Sequence, residues 1–209
     1  MAVNAPTAEP RSGLRERNRE RNLAEVAAVA LELFTERGFD EVTVDDIASA
    51  AGISRRTFFR YFESKEDAAL PYEEERLETL RSLLAARPPD EPVLAGVRHA
   101  TVEIVASVAT DPAAREEGLR RTRIVAECPS VHARSLELQS RWEIAIREMI
   151  AEHLGVEAAT SLEAHVVAGA SLAAVRAAVQ LWLATDGATE LADLVGEAFD
   201  LLTTDLSFG

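Results

Sequence analysis

Thr43–Lys65, T-V-D-D-I-A-S-A-A-G-I-S-R-R-T-F-F-R-Y-F-E-S-K, predicts two short helices joined by a tight turn, with a third helix starting at its end. Thr43 with Asp46 three residues on has the form of a capping box, in which a hydroxyl and a carboxylate satisfy free backbone N–H groups. Ile47, Ala48 and Ala51 supply one apolar face, and Gly52 follows where a helix end often needs positive φ. Ser54 is placed to cap a second helix carrying Arg55, Arg56, Thr57 and Arg60 among Phe58, Phe59 and Phe62. This is helix-turn-helix punctuation, with basic side chains at the start of the second helix. In such units the first residues of that helix reach base edges in the major groove.

Charge is unevenly spread along the 209 residues. The net charge is −14, of which residues 1–65 carry −1 (10 basic, 11 acidic) and the rest carry −13 (12 basic, 25 acidic). Phosphate neutralisation supplies most non-specific affinity for nucleic acid, so so acidic a chain must bind DNA through a local basic cluster. That cluster lies in the first third. Lys65 is the one lysine against 21 arginines, and its charge at the start of a helix favours a phosphate. Cys128 is the one cysteine, which excludes an internal disulfide and points to a cytoplasmic address. The N-terminus lacks the apolar core of a signal peptide, and no apolar run is expected to reach bilayer length.

Every segment with a period is helical, so the expected fold is all-α with about nine helices. Residues 1–13 are expected as a disordered tail, 14–64 as a helix-turn-helix domain and 65–209 as a larger helical domain. A first helix runs from Leu14 to Arg37, its start crowded by Arg11, Arg15, Arg17, Arg19 and Arg21. Ser64 and Asp67 form a second capping box, opening one connecting helix to about Ala86. Seven of eleven aromatics fall between Phe34 and Tyr72, and a module this small is expected to bury its phenylalanines as core. Further helices are expected at about 90–108, 111–126 and 129–154. The last two, about 158–185 and 188–205, are respectively apolar nearly all round and apolar on one stripe.

The Thr43–Lys65 string resembles the DNA-binding signature of the TetR family of bacterial transcriptional regulators. The resemblance rests on Thr43, Ile47-Ala48, Ala51-Gly52, Ser54, Thr57, Phe62 and Ser64-Lys65. It implies a ligand-released repressor that binds a palindromic operator as a homodimer, with recognition helices about 34–36 Å apart. It also implies DNA contacts from Thr43, Ser54, Arg55, Arg56, Thr57, Tyr61 and Lys65, and a dimer interface on the last two helices, at Leu162, Val166, Leu191, Leu194, Val195 and Phe199. Many members carry a Tyr at the position of Phe59 whose hydroxyl touches a phosphate; here Tyr61 is the expected substitute. Within the family, R-R-T-F-F-R-Y-F-x-S-K-E-D is similar to the mycofactocin-regulator branch, which implies an acyl-CoA-like effector. Arg98, His99, Trp142 and Arg176 are polar or aromatic residues on otherwise apolar helices and are the candidate ligand contacts.

Catalytic alternatives find little purchase. His99, His132, His153 and His165 lie on separate segments without H-E-x-x-H spacing, and no phosphate loop or nucleophile elbow is present. Neither metal nor cofactor is expected. The remaining rival is a helical protein–protein adaptor on the same fold.

Overall fold

The computed structural model describes residues 11–88, 90–108 and 111–203, and among them finds ten α-helices and no strand. These are α1 (Arg11–Arg37), α2 (Val44–Ala50), α3 (Arg55–Tyr61), α4 (Lys65–Ala69), α5 (Glu73–Ala86), α6 (Val93–Val108), α7 (Pro112–Glu127), α8 (Pro129–Leu154), α9 (Leu162–Ala184) and α10 (Leu191–Thr203). The chain divides into two compact units, Met1–Pro71 and Tyr72–Gly209. Of the tail expected over 1–13, residues 1–10 lie outside the described ones, and α1 begins at Arg11.

Ten helices replace the expected nine because the single connecting helix over 64–86 is broken. α4 stops at Leu70 (φ −121°, ψ 56°), and Tyr72 takes the left-handed conformation (φ 71°, ψ 11°) before α5 starts. Pro71 is the reason. Proline lacks the N–H a helix interior requires, and its ring pushes the preceding residue out of the α region. Three glutamates, Glu73, Glu74 and Glu75, then fill the first turn of α5, where negative charge complements free backbone N–H groups.

In the first unit α1 packs against α2 and α4, and α2 against α3. The core is aromatic: Phe34 and Phe39 have ring centroids 4.7 Å apart, and Phe58 and Phe62 5.4 Å. Phe58 and Ile47 are fully buried, which seats α2 and α3 on a common centre.

The second unit is built around α9, which packs against α6, α7, α8 and α10. Its buried face runs Ala164, Ala168, Ser171, Ala174, Ala178, Trp182, mostly small residues that let neighbouring helices approach closely. Ser171 donates to Val167 O at 2.7 Å, so its buried hydroxyl is satisfied. The opposite face stays uncovered, with Leu162, Val166 and Leu181 all more than half exposed. Contrary to expectation, α9 is by length and composition apolar enough to cross a bilayer. Two apolar faces on one helix account for this; one of them serves the core.

Candidate DNA-binding surface

Local hydrogen bonds set the helix-turn-helix. Asp46 Oδ2 accepts from Thr43 N at 2.9 Å and from the Thr43 hydroxyl, while Asp46 N donates to Thr43 Oγ1 at 3.2 Å. These bonds, the hydroxyl first, hold the Asp46 carboxyl below its ordinary range. Gly52 adopts φ +65°, which side-chain-bearing residues rarely take, and so turns the chain between α2 and α3. Ser54 Oγ accepts from Thr57 N at 3.1 Å, capping α3.

The two arginines that begin α3 differ. Arg55 Nη1 bonds Asp45 Oδ2 of α2 at 3.0 Å, and its guanidinium lies 5.6 Å from the Phe59 ring centroid. Arg56 is exposed and has no partner among the described residues. Arg60 donates to Tyr61 Oη at 3.1 Å, and Asn22 of α1 donates to the same oxygen at 3.3 Å. Those two bonds, Arg60's first, lower the Tyr61 phenol below its usual value. Tyr61 is thereby tied back to α1 and half-buried, at the rim of an open hollow of about 480 Å³ lined also by Val26, Ile53, Thr57 and Arg60.

Lys65 turns inward. Its Nζ donates to Phe39 O at 2.9 Å and Val42 O at 3.1 Å, and sits 4.3 Å from the Phe39 ring centroid. Two of its three N–H groups thus close the loop between α1 and α2. Phe59 turns outward, at 46% exposure, correcting its expected place in the core. An α3 of two turns has one buried face, filled by Phe58, and Phe62, the extended residue that caps the helix, packs beside it. Of the arginines crowding the start of α1, the side chains of Arg11, Arg15 and Arg17 lie outside the described residues.

In the second unit the candidate ligand contacts disperse. Arg98 joins Asp200 of α10 at 2.8 and 3.1 Å, His99 is exposed and 3.8 Å from Glu103, and Arg176 lies on the uncovered face of α9. Trp142 alone belongs to a half-buried polar group: its Nε1 donates to Glu73 Oε2 at 3.1 Å, and Arg76 donates to Glu73 Oε1 at 3.0 Å. Burial raises the Glu73 carboxyl and the Tyr72 phenol and lowers Arg121, which bonds Glu117 at 2.7 and 3.0 Å. Sequence reasoning missed Glu73 and Arg76, although they fall on the helical stripe of Leu77, Leu80 and Leu84. The dimer residues also separate. Leu194, Val195 and Phe199 are buried inside their own chain (7%, 0% and 0% exposed), which removes them from any interface, and Leu191 is half-buried. The apolar stripe of α10 faces its own α6 and α9. Leu162 and Val166 remain outside, with Leu201 and Leu202 of α10.

Residues 26–68 match the model of the bacterial regulatory proteins of the tetR family, and residues 91–207 match that of the MftR C-terminal domain. The Mycobacterium tuberculosis regulator MftR, named for mycofactocin biosynthesis, is 32% identical over 183 residues, 87% of this chain and 89% of that protein. TcmR of Streptomyces glaucescens is 31% identical over 148 residues, 69% of this chain and 66% of that one. Among solved structures, a TetR-family regulator of Syntrophomonas wolfei superposes with TM-score 0.63 at 18% identity, covering 90% of this chain and 98% of its own. Thermus thermophilus FadR, crystallised with lauroyl-CoA, superposes with TM-score 0.57 at 24% identity, covering 90% and 96%. The chain belongs to the TetR family of bacterial transcriptional regulators: it is a DNA-binding regulator rather than an enzyme, and its second unit is of the MftR C-terminal type.

Proposed function

We propose that the protein is a cytoplasmic, ligand-released repressor that binds a palindromic operator as a homodimer, with Arg56 as its principal base reader. The observation that carries this reading is the contrast at the start of α3. Arg55 is engaged by Asp45 and Phe59, whereas Arg56 presents an exposed guanidinium with no partner among the described residues. Arginine pairs bidentately with guanine O6 and N7, each such pair contributing about 1–3 kcal/mol of discrimination. Thr43 at the start of α2, and Ser54 and Thr57 at the start of α3, are assigned to phosphates, contacts that position without specifying.

The uncovered face of α9, Leu162, Val166 and Leu181, with Leu201 and Leu202 of α10, supports the dimer. A small-molecule effector acts on the second unit, and it releases DNA only by preferring one of two conformations. The half-buried polar groups around Trp142 support a ligand with a polar end. Acyl-CoA thioesters are the class to test first, lauroyl-CoA being what the Thermus thermophilus protein holds.

The test is selection of bound fragments from the native genome, followed by titration of Arg56→Ala and Arg55→Ala against the recovered site. Arg56→Ala is expected to lose about 1–3 kcal/mol and relax preference at one guanine per half-site. A larger loss of discrimination from Arg55→Ala would reverse the assignment, and recovery of no fragment would favour the adaptor reading.

A further inference from the structure

Phe59 is the large hydrophobic side chain that the first unit leaves exposed among its described residues, and it stands on the recognition helix. One edge of its surroundings is filled: Phe58 meets it nearly perpendicularly, centroids 5.5 Å apart. The Arg55 guanidinium, itself bonded to Asp45 at 3.0 Å, lies 5.6 Å from its centroid. Phe59 is otherwise open, at 46% exposure, and in sequence it stands three residues after Arg56 and one before Arg60. Three arginines within one turn of the ring make an apolar protein partner a poor occupant, and the phenyl ring has no hydroxyl to offer a phosphate. The major groove displays one apolar group, the C5-methyl of a pyrimidine.

We propose that Phe59 reads a pyrimidine C5-methyl in the major groove, that of thymine in unmodified DNA. Phe59 is then a specificity-determining residue and not part of the core. The flanking arginines supply the neighbouring polar contacts, so the recognised step pairs a guanine with a methyl-bearing pyrimidine. The inference rests on the reading that α3 enters the major groove.

The experiment uses the full-length protein and a DNA site recovered by selection. Each thymine of one half-site is replaced in turn by uracil, which deletes the methyl and nothing else, and binding is titrated for wild type and Phe59→Ala. Wild type is expected to weaken about fourfold at one position per half-site, the fold-change equivalent of burying one methyl group, about 0.8 kcal/mol. Phe59→Ala is expected to bind the thymine and uracil forms equally there. At that position, replacing the T·A pair by 5-methylcytosine·G or cytosine·G separates the methyl from the base: the methylated form is expected to bind more tightly by a similar factor. Phe59→Leu, checked by its thermal melt, retains an apolar contact and part of the discrimination. A site at which no thymine responds to uracil, or a Phe59→Ala protein with undiminished sensitivity, overturns this inference alone. Failure to select any site overturns the parent reading and this one with it.

Discussion

Lys65 shows how far one residue's surroundings can redirect its role. Its charge at a helix start favours a phosphate, yet its ammonium donates to Phe39 O and Val42 O and stacks on the Phe39 ring. Hydrogen bonds made by a charged group stabilise by about 1.5–3 kcal/mol, so Lys65→Met is expected to lower the stability of the first unit by about that much in urea unfolding. The slope of log affinity against log salt is expected to stay unchanged. A drop of about 0.9 in that slope, the signature of one lost phosphate contact, would show that the third N–H serves DNA. Thr43, Asp46, Ser54 and Ser64 were legible by contrast, because each cap depends on residues three apart in sequence. Lys65 and Phe39 lie 26 apart. Nothing local announces their meeting.

At the level of elements, α5 carries a carboxylate where its packing against α8 calls for an apolar group. Glu73 is held by Arg76 and the Trp142 N–H, but desolvation outweighs both and raises its carboxyl above the ordinary 4.5. A carboxyl raised on folding contributes stability that is full below the unfolded value and is lost as pH rises through the folded one. Glu73→Gln keeps an acceptor for the indole N–H and abolishes the ionisation. It is therefore expected to melt higher than wild type at pH 8, with the two melting temperatures converging below pH 4.5. A melting temperature lowered at pH 8 would mean that the Arg76 pairing dominates. The break between α4 and α5 belongs to the same scale. Its cause, Pro71, was present in the sequence, and the capping box at Ser64 concealed it by announcing a helix without announcing its length.

Across the whole molecule the governing feature is the two-faced α9. A helix apolar all round must be covered on both sides, and contiguous exposed apolar patches mark interaction sites. Leu181→Arg and Val166→Glu lie on the open face and are expected to give a folded monomer by light scattering, with helical content retained by circular dichroism. Phe199→Asp, at a fully buried position, is expected to unfold the second unit instead. A persisting dimer in both open-face variants would place the interface elsewhere. The proposed homodimer would need such an interface to pair its recognition helices on a symmetric operator.

Periodicity, caps and the charge split by themselves determined an all-α chain with a helix-turn-helix in its more basic first third. These are short-range properties: a hydrophobic stripe repeats every three to four residues and a capping box spans four. Tertiary packing alone decided which stripe is inside. Leu194, Val195 and Phe199 form as good an outward face as an inward one until α6 and α9 cover them, whereas Leu162 and Val166 find no such cover. The same competition for a small core buried Phe58 and Phe62 and left Phe59 in solvent, because an α3 of seven residues has room for one buried face.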